Sequence, residues 1–340
     1  MPRAIVADAT PIEGEQKAIV IGCRPSTLAK IQAELVRSRL KVLFPASRFE
    51  ISSKKFPQPE IGTSQITERG GASLWTTELE DALFDGDIDI LVHSLKDVPT
   101  KLKEGCEIIH VLEREDRRDC LVVKDGLPYR TLEELPAGSV VGTGSVRRVA
   151  QMKRRYPLLV IKDVRGNIDT RLQKLDSPDL PYTALILASA GLLRLSLHDR
   201  ITSYLSPPIS YPAVGQGCLG AEFRSADTKV KAMVSRLEVW QDGWAVRAER
   251  ALLWVLEGGC AFPVGIWSSW SGDNIASESL SVMTSPDGSE EITVETTGVV
   301  ASVEEVLELG KQAARSLLEK GGRGIIVDLR AEIDRAASEY

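Results

Sequence analysis

The sequence predicts an α/β protein of two lobes with mostly parallel sheets, followed by a small α+β domain. Three observations carry this expectation. Short apolar runs bounded by glycine or polar turns alternate with stretches of helical periodicity from Ala18 to Gly191. A chain of 340 residues exceeds one ordinary core and implies two or three domains. Beyond about Trp240 the character changes to a long helix (Asp242–Glu257), then the strand-like runs LSVMTS, EITVETTG and GIIVDL flanking a helix from about Val303 to Leu318.

The elements follow in order. AIVIG (Ala18–Gly22) is an apolar run ending in glycine, and Leu28, Ile31, Leu35, Val36 and Val42 then fall at helical spacing, which makes a βα unit. WTTELEDALFDG reads as a helix. IDILVHS, CEIIHVL, DCLVV, SVVGT, LLVIK and ALILASAG read as buried strands. Charge and Pro/Gly cluster in EREDRRD (Glu113–Asp119) and PPISYPAVGQG (Pro207–Gly217), the expected hinges between lobes.

Composition narrows the function. The hydrophobic share of 43% and charged share of 26% are those of a globular protein. Five scattered cysteines form neither a disulfide framework nor a CxxC metal pattern, so a reducing compartment and no metal are expected. The first residues, MPRAIVADATPIEGEQ, lack an apolar core of signal-peptide length, and no run approaches a membrane span, so the expected location is the cytoplasm. A net charge of −6 argues against nucleic acid as a partner. The arginines nevertheless gather in SVRRVAQMKRRYP and DVRGNIDTRL, and a basic pocket within an acidic chain suits a small polyanion.

Five stretches can carry chemistry. GCRPST (Gly22–Thr27) follows a strand and opens a helix, so Arg24, Ser26 and the helix amides can bind a carboxylate or phosphate; a plain N-cap by Ser26 or Thr27 fits equally well. VGTGSVRR (Val141–Arg148) repeats that geometry with Arg147 and Arg148. Successive helical residues diverge by about 100°, so the two would reach different groups of one ligand, unless they form a solvated helix face. VRGNIDTRL adds Arg165 and Arg171, and AGLLRL adds Arg194; guanidinium forks suit a ligand with many carboxylates. HSLKDVP (His93–Pro99) sets Lys96 and Asp97 at the C-terminal end of a strand, where α/β sheets bind ligands, although Asp97 could equally cap a turn before Pro99. LEGGCAFPVG (Leu256–Gly265) places Cys260 after two glycines and ahead of Pro263, on a loop; taken alone, these ten residues favour a buried structural thiol.

HSLKDVP, GTGSVRR, VRGNIDTRL, PAVGQG and LEGGC, in this order and at these separations, resemble the porphobilinogen deaminase (hydroxymethylbilane synthase) family from about Ile19 to Gly265, and more loosely beyond. The resemblance implies two periplasmic-binding-protein-like lobes with mixed, mostly parallel sheets and a C-terminal α+β domain. Its implied bounds are residues 17–112 with 216–235 for the first lobe, 118–210 for the second and 240–340 for the third domain. It implies a transferase of heme biosynthesis that condenses four porphobilinogen molecules head to tail, releases ammonia each time and yields the linear tetrapyrrole hydroxymethylbilane. A dipyrromethane cofactor held by a thioether at Cys260 would prime the chain. Asp97 would stabilise the cationic intermediates and assist proton transfer. Arg24, Ser26, Lys96, Thr143, Ser145, Arg147, Arg148, Arg165, Gly166, Arg171, Arg194 and Gln216 would bind cofactor and substrate. Porphobilinogen and the growing pyrrole chain are the implied partners, and a monomer is the implied state.

The sequence departs from the family pattern at Ala72 and Thr77, where lysines are usual, at Gly144, where serine is usual, and in the loop SSKKFPQPEIG (Ser52–Gly62). These changes keep open an alternative: an impaired relative, or a protein that binds carboxylates or pyrroles without turnover. A cysteine-nucleophile hydrolase is a weaker third reading, because His93, His110 and His198 lie in no motif of that chemistry.

Overall fold

The structure is a computed structural model that describes residues 17–53, 74–256, 262–271 and 276–338. The first lobe is a five-stranded sheet of β1 (Ile19–Gly22), β2 (Phe49–Ser52), β3 (Ile90–Ser94), β4 (Cys106–Val111) and β10 (Leu219–Arg224), ordered β2-β1-β3-β10-β4. On one face pack α1 (Thr27–Leu43) and α6 (Thr228–Ser235). Ala33, Val36 and Leu40, one stripe of α1, meet Ile19, Ile21, Val92 and Phe223 of the sheet there. On the other face α2 (Leu74–Phe84) covers Leu91 and Ile88 with Leu79 and Leu83.

The second lobe repeats the plan. Its strands are β5 (Asp119–Val123), β6 (Val140–Gly142), β7 (Val160–Lys162), β8 (Tyr182–Ala188) and β9 (Ser203–Leu205), ordered β7-β6-β8-β5-β9. The helices are α3 (Val146–Arg155), α4 (Ile168–Asp176) and α5 (Ser189–Arg194). Separate apolar clusters form on the two faces, one around Met152 and Ile186 and one around Leu175 and Leu185. The third body is an antiparallel meander of β11 (Val264–Ser271), β12 (Ala276–Thr284) and β13 (Glu291–Val299), with α7 (Trp240–Val255), α8 (Val303–Leu317) and α9 (Arg323–Ser338). Leu252, Val264, Met283, Ala314 and Ile325 share its core.

Two features differ from the sequence expectation. In each lobe two strand pairings are parallel and two antiparallel, so the sheets are mixed without a parallel majority. The cause is chain crossing: β10 enters the first sheet from the second lobe, β5 enters the second from the first, and each runs against both neighbours. The run GIIVDL is helix α9, not a strand. Ile325, Ile326 and Leu329 are buried while Val327 between them is 64% exposed, a helical stripe that an apolar run of this length does not distinguish from a strand.

The two crossings, residues 112–118 and 206–218, lie side by side. Glu115 N donates to Gly217 O at 3.2 Å, and Arg114 Nε donates to Gln216 O at 2.9 Å. Gly217 has φ +88°, and a Cβ there would fall 2.2 Å from Glu115 O, so the close approach of the crossings requires glycine. Arg114 also forks Glu249 of α7 (2.7 and 3.1 Å), and Glu249 accepts from Gly215 N (2.8 Å) and Ser268 Oγ (2.7 Å). This buried cluster ties the third body to both crossings. Among the described residues, no helix is long and apolar enough to cross a membrane, and no group of His, Cys, Asp and Glu could hold a metal.

Candidate functional site

The C-terminal ends of strands in both lobes face a cleft of about 600 Å3. The first lobe contributes Arg24 and Ser26 from the turn after β1, and Lys96 and Asp97 from the single-turn helix Leu95–Asp97 that follows β3. The second lobe contributes Arg148 of α3, Arg165 and Gly166 from the turn after β7, Arg171 of α4 and Arg194 at the end of α5. Asp97 is exposed among these cations. Burial, and then Arg148, lower the pKa of Arg171, with the Asp97 carboxylate opposing them.

Local structure orients each side chain. Ser26 caps α1, its Oγ accepting from Ala29 N at 3.3 Å, and it lines the cleft as well, so the capping and binding readings coincide. Arg165 pairs with Asp163 at 2.8 Å. Gly166, at φ +118°, turns its carbonyl to accept from Arg171 Nε at 2.7 Å. Arg194 donates to Gly217 O at 2.6 Å, which anchors it to the second crossing. Burial pushes the Lys96 ammonium down to about 8, with Asp97 opposing and Arg148 adding to the shift.

The arginine pair divides. Sequence reasoning gave both arginines to the ligand, but only Arg148 lines the cleft. Arg147, 3% exposed, donates to Asp119 Oδ2 at 2.9 Å and to the Tyr211 carbonyl. Arg148 donates to Asp119 Oδ1 at 2.7 Å and to Ile186 O at 3.1 Å. Asp119 is fully buried at the start of β5 and also accepts from Ser210 Oγ (2.7 Å) and Gln216 Nε2 (2.8 Å). Burial alone would raise its carboxyl, yet the two guanidiniums outweigh that and hold it well below the usual carboxylate range.

Three other expected residues also do not line the cleft. Gln216 is fully buried, donates to Arg117 O at 2.7 Å and to Asp119, and accepts a long 3.5 Å contact from Lys96 Nζ. Thr143 is buried, its Oγ1 accepting from Ser145 N at 3.4 Å, and neither residue lines the cleft. Cys260 lies outside the described residues, as do Ala72 and the loop from Lys54 to Gly62. Sequence reasoning missed Asp119 and Gln32. Gln32 is 2% exposed on α1, lines the cleft and donates to Ser94 Oγ at 2.9 Å; a glutamine on the apolar stripe of a helix was the available signal.

Residues 19–232 match the family described as porphobilinogen deaminase, dipyromethane cofactor binding domain, and residues 244–319 match its C-terminal domain. The chain belongs to the porphobilinogen deaminase family. The porphobilinogen deaminase of Yarrowia lipolytica is 41% identical over 94% of this chain and 96% of its own length. That of Paraburkholderia phymatum is 41% identical over 94% and 96%, and that of Saccharomyces cerevisiae 38% identical over 92% and 97%.

The cleft fits the cofactor that gives this porphobilinogen deaminase domain its description. Lys96, Arg24, Arg148, Arg165, Arg171 and Arg194 make a donor set suited to several carboxylates in one chamber. Gly144 is a departure with a local reason: a Cβ there would lie 3.0 Å from Val164 O and 3.1 Å from Asp163 Oδ1, the carboxylate that pairs with Arg165.

Proposed function

We propose that the chain is a hydroxymethylbilane synthase, a transferase of tetrapyrrole biosynthesis that joins four porphobilinogen molecules head to tail with loss of ammonia. The observation that carries this reading is an exposed Asp97 in a 600 Å3 cleft walled by Lys96 and five arginines. Each porphobilinogen ring bears two carboxylates, and cations on both lobes can hold them while the reacting carbons meet at Asp97. Arg24 and Lys96 grip from the first lobe, and Arg148, Arg165, Arg171 and Arg194 from the second.

The chemistry needs one anionic group among these cations. When the C–N bond of porphobilinogen's protonated aminomethyl group breaks, nitrogen leaves with the electron pair as ammonia and the carbon becomes cationic. The Asp97 carboxylate stabilises that charge. The free α-carbon of the chain's terminal ring then forms the new C–C bond, and Asp97 takes up the α-proton on its way to ammonia. Bound dipyrromethane supplies the first such α-carbon. Cys260 is proposed as its thioether attachment. Thr143, Ser145, Arg147 and Gln216 are proposed to bind cofactor and substrate, with Gln216, in contact with Lys96, and Arg147, which shares Asp119 with Arg148, also holding those two side chains in place.

The same reading takes residues 17–112 with 216–235, 118–210 and 240–340 as the domains. Membership of β10 in the first sheet supports the discontinuous first lobe. It also takes the chain as a cytoplasmic monomer whose partners are porphobilinogen and the growing pyrrole chain, and the net charge of −6 weighs against nucleic acid. The test is stoichiometry. The purified chain should release one ammonia per porphobilinogen consumed and one linear tetrapyrrole per four. Binding of porphobilinogen without consumption would favour the binding-protein alternative.

A further inference from the structure

A second cavity, of about 370 Å3, lies where β4 of the first lobe meets α7 and α8. Leu95 lines it, whereas the next two residues, Lys96 and Asp97, line the cleft, so one short turn separates the two spaces. Its volume falls within the range of small-molecule sites. Leu95, Ile108, Val246 and Leu307 give it apolar walls, and Arg247, Arg250 and Lys311 add cations.

Two details define what it would hold. His110 lines the cavity, is 3% exposed and has Nδ1 3.1 Å from Leu219 O. The facing carbonyl fixes the hydrogen on Nδ1, and Nε2 is enclosed and without a hydrogen-bond partner among the described residues, so the imidazole supplies wall and no contact atom. Burial disfavours protonation of this imidazole, against the pull of Asp242. Second, Arg250 donates to Val98 O at 3.0 Å and Pro99 O at 2.7 Å, the carbonyls directly after Asp97. Arg247 is ion-paired with Glu238.

We propose that this cavity is a binding site, separate from the cleft, for a small carboxylate with an apolar ring body, and that its occupancy acts on the Asp97 turn. The ring lies between Leu95, Ile108, Val246 and Leu307, and its carboxylate meets Lys311 and Arg250. A carboxylate on Arg250 competes with the Val98 and Pro99 carbonyls and loosens the segment that fixes Asp97. Binding and turnover are thereby coupled through one shared turn.

The test uses 3-phenylpropionate, which has the ring and the carboxylate but no pyrrole nitrogen, titrated calorimetrically into the full chain. One site is expected. Loss of a charge-assisted hydrogen bond in Lys311→Met should weaken it about tenfold, Leu307→Trp should fill the cavity and abolish binding, and the cleft variant Arg165→Ala should bind as the parent does. No binding at millimolar probe overturns the site, as does binding that survives Lys311→Met and Leu307→Trp or is lost in Arg165→Ala. The coupling rests on the synthase reading and has its own readout: saturating probe should change the rate of porphobilinogen consumption at least twofold in the parent and not in Leu307→Trp. An equal effect in both overturns the coupling. Calorimetry remains decisive for the site even if the chain proves unable to consume porphobilinogen.

Discussion

Replacing Asp119 by asparagine removes the charge that holds Arg147 and Arg148. The carboxylate is fully buried and accepts from four side chains, at 2.9 Å from Arg147, 2.7 Å from Arg148, 2.7 Å from Ser210 and 2.8 Å from Gln216. Asparagine keeps the shape but turns one acceptor into a donor that faces other donors, and leaves two guanidiniums that are 3% and 4% exposed without a counter-charge. Removing one partner of a buried ion pair costs about 3–5 kcal/mol. At roughly 2–4 °C per kcal/mol for a large domain, the Asp119→Asn melting temperature should fall by about 6–20 °C. The pH dependence supplies the sign. Because the folded carboxyl titrates below its unfolded value, its stabilisation is complete above the unfolded pKa of about 4 and is lost as pH falls toward the folded value. Calorimetric melts of parent and variant should therefore differ most at neutral pH and converge in acid. A neutral-pH difference under about 2 °C, or one that persists unchanged in acid, would refute the assignment of Asp119 as the anchor of the arginine pair.

Other outcomes follow from the same geometry. Asp97→Asn should retain porphobilinogen affinity within a few-fold while turnover drops at least about 100-fold, the scale of a lost proton-transfer group; a turnover within tenfold of the parent would remove Asp97 from the reaction. Lys96 loses its proton as pH rises through about 8, so KM for porphobilinogen should climb above that pH, and Lys96→Arg, which stays charged, should abolish the climb. Gly217→Ala sets a Cβ 2.2 Å from Glu115 O on a backbone at φ +88°. Backbone strain of this kind costs on the order of 1–3 kcal/mol; a denaturation midpoint unchanged from the parent would show that the crossings are not held as tightly as described.

The parts of the fold readable from sequence are those set by local periodicity. The β1–α1 unit is readable because apolar residues recur at helical spacing after an apolar run. Of Leu28, Ile31, Leu35, Val36 and Val42, however, only Val36 is fully buried, Leu35 and Val42 are exposed, and the packed stripe runs through Ala29, Ala33, Val36 and Leu40. The basic cleft is readable too, since Arg24, Arg148 and Arg165 each sit just after a strand end. What remains hidden is long-range. Asp119 meets Arg147 and Arg148 across 28 and 29 positions of chain, and nothing in EREDRRD distinguishes the acid that turns inward from those that face water. Arg147 and Arg148 look equivalent as neighbours, and only the packing of α3 against β5 and Tyr211 sends one to the crossing and leaves the other at the cleft. The direction of β10 depends on a chain excursion through the whole second lobe, which no local pattern records.

The central claim is a pyrrole chain grown on this protein in a cationic cleft, and the intact mass of the purified chain tests it most directly. The account predicts an excess equal to two linked pyrrole units, absent from Cys260→Ala and increasing by single pyrrole units when porphobilinogen is added in limiting amounts. An unmodified mass that stays unchanged after incubation with porphobilinogen would contradict it.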